Sequence, residues 1–291
     1  MFKQRLIFYA SYPFILIINI NPKFSFRLLQ PVLYFLLYSV IKYRRKIVID
    51  NINRCFKDKK QNLITAKKYY KHLSRIILEP LLTKGYSKNY LCKHVIVPNN
   101  MLDSYYDRDK SVFLILGHCN NWEWLCTTAP FHSKYKPMAV YKKMSNPFFE
   151  RLINNARQKY GTQCIEMRQI QRVILEKIRQ KESFVCSFIA DQVPVNDNVG
   201  TAIFFGQPMY FYDGYIKLAK KIKAVLIYTE CKMDGNTNIF TPVLMHDFEE
   251  ADISVEECTQ KFASLLEKNI REQPFNWLWS HNRWKRMPFK D

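Results

Sequence analysis

Glycine is scarce, with seven residues in 291, against about 20 at the usual ~7%. A glycine in this chain therefore reads as a backbone requirement, a tight turn or a close approach. Metal-site spacing is also missing. The eight cysteines contain no CxxC and form no Cys/His cluster, which leaves no zinc ribbon or finger to build. Several lie in apolar runs, as Cys186 does in Phe184-Val185-Cys186-Ser187-Phe188, where a thiol behaves as a small hydrophobe. A reducing compartment fits that usage. Long apolar runs are lacking as well. Leu6–Ile20 is nearly continuous but interrupted by Pro13, and Leu28–Ile41 is shorter still, so neither comfortably spans a bilayer. No small-residue cleavage site of a signal peptide follows the first run. Acidic residues are outnumbered, 25 against 45 basic, for a net charge of +20. That balance calls for an anionic partner: nucleic acid, anionic lipid or an acidic carrier protein. No recognition helix, zinc finger or RNA-binding signature supports nucleic acid.

What is present is a foldable chain, 48% hydrophobic and 15% aromatic, long enough for one ample core. Basic residues flank the two N-terminal apolar runs: Lys3 and Arg5, Lys23 and Arg27, then Lys42-Tyr43-Arg44-Arg45-Lys46. Residues 1–46 therefore read as a membrane-associated helical segment whose cations face an anionic membrane surface. Two buried core helices are the alternative. Residues 47–291 read as one α/β domain. Apolar positions 66, 69, 70, 73, 76, 77 and 81 predict a helix over Leu63–Leu82, whereas 85–110 looks polar and irregular. From Ser111 on, strands at Val112–Leu116, Met138–Val140, Gln163–Ile165, Ser183–Ala190, Val225–Tyr228 and Ile239–Val243 alternate with helical stretches near 122–129, 146–160, 168–180, 212–223 and 254–271. The expected fold class is α/β, a largely parallel central sheet flanked by helices.

In such sheets ligands gather beyond the carboxyl ends of the strands. Two strands end suitably. Val112–Leu116 delivers Gly117-His118, with Glu123 five residues further on; Ser183–Ala190 delivers Asp191-Gln192, then Pro194 and the turn-forming Asn196-Asp197-Asn198. On one continuous helix His118 and Glu123 would lie about 140° apart. They can meet only with His118 in the turn before the helix and Glu123 in its first turn. Asn120 as N-cap then puts Glu123 at N3, so the segment also reads as a capping box. Either Glu123 merely caps a helix after a strand, or it also holds the imidazole in the tautomer that accepts a proton.

Gly117-His118-x-x-Asn121-Trp122-Glu123 resembles the HX4(D/E) motif of the lysophospholipid acyltransferase superfamily, in particular its lipid A late acyltransferase (lauroyl/myristoyl transferase) branch. The resemblance spans nearly the whole chain. It takes in Tyr43-Arg44-Arg45, Asn146-Pro147 leading to Arg157 and Gly161, and Ala190-Asp191-Gln192. It continues through Phe204-Phe205-Gly206 to Trp277-Leu278-Trp279-Ser280-His281-x-Arg283-Trp284-Lys285. It implies transfer of a fatty acyl group from acyl carrier protein, or coenzyme A, to a hydroxyl or amine of a membrane lipid. The thioester would be a co-substrate, with no cofactor and no metal. In that reading His118 is the general base and Glu123 orients its ring. Arg157 meets the acceptor's anionic headgroup, while Asp191, Gln192, Lys142 and Asn121 are further substrate-binding candidates. The helical stripe at 149, 152, 153, 156 and 160 is flanked equally by Arg157 and Lys159, so geometry alone does not choose between them. Lys142 falls where relatives carry arginine; it keeps the charge and gives up the bidentate fork. The implied location is the cytoplasmic face of a bacterial inner membrane.

The aromatic, basic stretch Trp277–Lys285 reads either as an interfacial belt or as core packing. Two other functions are compatible with the residues: a lipid or thioester hydrolase using the same His/Glu pair, and a non-enzymatic basic membrane-binding protein. Acceptor identity and acyl length are not written in the residue pattern.

Overall fold

The apolar run Val112–Leu116 has hydrogen-bonded neighbours on both edges and four of its five residues buried. It is therefore the middle of the fold. The computed structural model describes residues 2–98, 100–194 and 199–288, with side chains from Phe8 onward. Helices α1 (Phe2–Ile18) and α2 (Pro22–Phe35, continued by a π-helical turn over Leu36–Val40) come first. They are followed by α3 (Arg45–Cys55), α4 (Lys59–Leu82), α5 (Lys88–His94), β1 (Val95–Ile96) and α6 (Met101–Tyr106). The chain then alternates: β2 (Val112–Leu116), α7 (Trp122–Thr128), β3 (Pro137–Tyr141), α8 (Pro147–Arg157), β4 (Gln163–Glu166), α9 (Ile170–Arg179), β5 (Val185–Ile189). A hairpin of β6 (Gly200–Phe204) and β7 (Gln207–Phe211) leads to α10 (Gly214–Ile222), β8 (Val225–Asp234), β9 (Thr237–Asp247) and α11 (Val255–Glu272).

Among the described residues the main sheet has the order β1-β9-β8-β2-β5-β3-β4. Its pairings are parallel except β8 with β9. This is the expected α/β class with a mostly parallel sheet. The chain leaves β2 toward β3, beyond β5, and leaves β5 toward β8, beyond β2. Adjacent strands thus send their connections in opposite directions, and right-handed crossovers put those connections on opposite faces. The carboxyl ends of β2 and β5 therefore form a topological switch point, where α/β sheets leave a crevice.

All six expected strands are present, four of them longer than the apolar pattern suggested, β8 and β9 by six residues each. β8 and β9 run on as a polar antiparallel ribbon turned at Gly235, whose φ is +53°. The stretch 85–110 is not irregular: it holds α5, β1 and α6, each at most about two periods long. The hairpin β6–β7 carries the Phe204-Phe205-Gly206 motif in its turn, where Phe205 and Gly206 both have positive φ (50° and 71°), the backbone of a tight two-residue hairpin.

The N-terminal helices dock on α4. Asn19 at the end of α1 donates from Nδ2 to the Leu81 carbonyl (2.8 Å) and accepts from the Gly85 amide (2.7 Å). A side chain at Gly85 would strike the Asn19 backbone, so this glycine answers a close approach. The opposite faces of α1 and α2 are uncovered: Ile17, Ile20, Phe24, Leu28, Val32 and Phe35 are all exposed. Among the described residues no single helix is long and apolar enough to cross a membrane; Pro22–Val40 with Arg45–Cys55 meets that test only as a pair bent by 86°.

Candidate active site

The crevice is built from the end of β2. A Cβ on Gly117 would lie 2.5 Å from Leu266 Cδ1 of α11 and 3.5 Å from Asp191 Oδ2. The glycine lets the strand end pass close under α11 and against the carboxylate. Asn120 then takes the left-handed conformation (φ 61°), which asparagine tolerates, and the chain turns into α7. The N-cap is Asn121, not Asn120. Its Oδ1 accepts from the Trp124 amide (3.0 Å), so Glu123 sits at N2 and the expected capping box does not form. Asn121 Nδ2 donates to Glu79 Oε2 (2.5 Å). Both ends of the Asn121 amide are used and the residue is 1% exposed, which gives it a structural role at the start of α7. Glu79, buried on α4 and bound to Arg75 (2.9 Å), anchors the start of α7 through it.

His118 meets a carboxylate, but not the expected one. Its Nδ1 is 2.5 Å from Asp191 Oδ1, and its backbone amide donates to Asp191 Oδ2 at 2.9 Å. Trp277 Nε1 donates to the same Oδ2 at 2.7 Å. Burial pushes the Asp191 carboxyl up, yet the adjoining His118 and the hydrogen bonds from His118 and Trp277 outweigh it and hold the group down at about 2. An ionised Asp191 can only accept, so Nδ1 carries a hydrogen, and in the neutral ring this leaves the lone pair on Nε2. Gln192, exposed beyond the strand, places its amide nitrogen 3.3 Å from that Nε2. The Trp122 ring stands edge-on to the imidazole, centroids 4.9 Å apart. Asp191 and Gln192 thus both address the imidazole, one on each nitrogen.

Glu123 binds Arg157 instead. The guanidinium meets it bidentately, Nε to Oε2 at 2.6 Å and a terminal nitrogen to Oε1 at 2.7 Å, while the other terminal nitrogen donates to Asn154 Oδ1 at 3.0 Å. Trp122 Nε1 also donates to Glu123 (3.1 Å). Burial alone would lower the Arg157 pKa; hydrogen bonding and charge from Glu123 raise it instead. Of the two cations flanking the helical stripe, Arg157 is the one that meets Glu123, and Lys159 turns elsewhere. Lys159 Nζ reaches the carbonyls of Thr83 (3.0 Å), Lys84 (3.2 Å) and Tyr86 (2.6 Å), where it caps the end of α4. Lys142 is exposed just past β3. The Asn196-Asp197-Asn198 turn lies outside the described residues.

Beside the His118–Asp191 pair a narrow apolar cavity enters the domain. Trp122, Glu123 and Arg157 line it together with Leu114, Leu116, Ala139, Val185 and Ile189 of the sheet. No periodicity announced it, because its lining comes from β2, β3, β5, α7 and the turn after α7. The contribution of Trp277 was likewise legible only as a motif. The aromatic C-terminal segment is core: Trp277, Trp279 and Trp284 are buried, which removes the interfacial belt. His281 accepts from the Val193 amide (3.2 Å). Burial chiefly lowers its pKa, to about 4. Among the described residues no group of three His, Cys, Asp or Glu stands ready to hold a metal.

A family model described as bacterial lipid A biosynthesis acyltransferase matches residues 2–286. Comparison with curated proteins finds no match.

Proposed function

The chain belongs to the bacterial lipid A biosynthesis acyltransferase family, and from that premise we propose that it moves a fatty acyl group from an acyl thioester to a hydroxyl or amine of a membrane-lipid acceptor. The observation that carries this reading is the His118–Asp191 pair at the strand ends whose preceding residues, Leu116 and Ile189, line an apolar cavity. The acceptor oxygen attacks the thioester carbonyl carbon while His118 Nε2 takes its proton. Asp191 holds the ring in the productive tautomer and stabilises the imidazolium. As the tetrahedral adduct collapses, the C–S bond breaks and the departing thiolate sulfur takes the proton from Nε2. Gln192 occupies the place where the acceptor's hydroxyl would bind, so acceptor entry exchanges one hydrogen bond for another. Glu123 serves the site through Arg157, locking α7 to α8 along the cavity wall.

The donor follows from charge. An acidic acyl carrier protein complements a chain of +20, with coenzyme A as the other thioester carrier. The same charge, with the uncovered apolar faces of α1 and α2, supports seating on an anionic bilayer at the cytoplasmic face of the inner membrane. Purified protein, acyl-carrier-protein thioester and lipid A precursors or other lipid acceptors in mixed micelles supply the test. We expect acyl lipid to form and His118→Ala to cut its rate by at least about 100-fold. Normal acylation by that variant overturns the mechanism; free fatty acid without acylated acceptor identifies a hydrolase.

A further inference from the structure

The apolar cavity has two ends. Along β5 its lining runs from Ile189, two residues before Asp191, to Val185 at the other end of the strand, four residues and about 13 Å. The opposite wall, from Glu123 through α7 to His132, covers nine residues, about 14 Å at helical rise. Both wall lengths are near half of a bilayer's roughly 30 Å hydrocarbon thickness, the depth of a single lipid chain. At the far end, Val97, His132 and Ser133 line this cavity and also an open groove on the outside, which Asn100, Asp103 and Lys134 help to form. The groove is polar: the Lys134 amide donates to Asp103 (2.7 Å) and Lys134 Nζ pairs with Asp107 (2.7 Å). One thin partition thus separates hydrocarbon-like space from water.

We propose that His132, with Val97 and Ser133, is the end stop that sets the longest acyl chain the protein accepts. This rests on the acyltransferase reading above. The ring is fixed, with its Nε2 3.1 Å from Oγ1 of the buried Thr128. Burial lowers its pKa, which favours a neutral imidazole that can face a terminal methyl. A chain too long by a methylene must bend or push into the wet groove, a misfit that an apolar pocket rejects by about tenfold or more.

Full-length protein is assayed with decanoyl, lauroyl, myristoyl and palmitoyl thioesters of acyl carrier protein. The wild type is expected to show a sharp upper limit. His132→Ala opens the partition and is expected to raise transfer of the next longer chains about tenfold relative to the optimum. Ala129→Phe, which fills the cavity from the turn after α7, is expected to move the optimum to a shorter chain. Asp107→Ala on the outer surface serves as control and keeps the wild-type profile. A second measurement needs no turnover: the longest free fatty acid that raises Tm should shift in the same direction in each variant. Folded variants that keep the wild-type limits in both assays overturn the end stop. Shifted fatty-acid limits with no transfer from any thioester leave the end stop standing and overturn the acyltransferase reading.

Discussion

Asp191 receives hydrogen bonds from the His118 amide, the His118 ring and the Trp277 indole, and an asparagine cannot accept all three. With its amide nitrogen at the Oδ2 position, two donors would face a third. Asp191→Asn is therefore expected to lower acyl transfer by roughly 10²–10⁴ and to cost about 1–3 kcal/mol in urea unfolding. The same carboxyl carries a pH signature. Its folded value of about 2 lies below the unfolded one near 3.9. Its contribution is thus fully present above about pH 4 and lost as pH falls toward 2, on the order of 2 kcal/mol in all. Urea titrations between pH 5 and pH 2 should display that loss in the wild type and lack it in Asp191→Asn. An equal acid sensitivity in both would remove Asp191 from the account.

Between elements, the Glu123–Arg157 fork ties α7 to α8. Arg157→Lys replaces a planar bidentate donor by a point charge. We expect a stability loss of about 1–2 kcal/mol and at least a tenfold fall in transfer, while Arg157→Met loses more of both; thermal unfolding and initial rates decide it. Unchanged rates in both variants would make the fork dispensable. The same elements mark what the sequence could disclose. Strand–helix alternation after Ser111 was readable because each strand is an apolar run between amphipathic helices. α5, β1 and α6 were not, since pieces of two to seven residues carry at most about two periods of pattern. Glu123 illustrates the limit at the site. Its spacing from His118 was visible, but the loops that bring Asp191 to the imidazole and Arg157 to Glu123 span 73 and 34 residues. Partner choice at that range is decided by topology, and HX4E spacing alone did not show that the carboxylate hydrogen-bonded to His118 is Asp191.

At the scale of the whole molecule, α2 presents Phe24, Leu28 and Val32 outward at helical spacing, beside Lys23, Arg27 and the Lys42–Lys46 cluster. If this face seats the protein on lipid, Phe24→Glu combined with Leu28→Glu should weaken co-sedimentation with anionic vesicles at least about tenfold. Raising salt should weaken the wild type too, because each basic residue near the surface contributes about 1 kcal/mol under screening. Binding indifferent to both changes would locate the membrane contact elsewhere. The core itself is closed late. Trp277 reaches Asp191 from near the end of the chain, and Asn51 holds the carbonyls of Trp279 (2.8 Å) and His281 (2.7 Å). During synthesis, which proceeds from the N-terminus, the base and its carboxylate emerge long before the indole that completes their hydrogen bonding. A nascent chain that has already released α1, α2, His118 and Asp191 therefore still lacks the indole, 86 residues beyond Asp191, that completes the hydrogen bonding of the carboxylate.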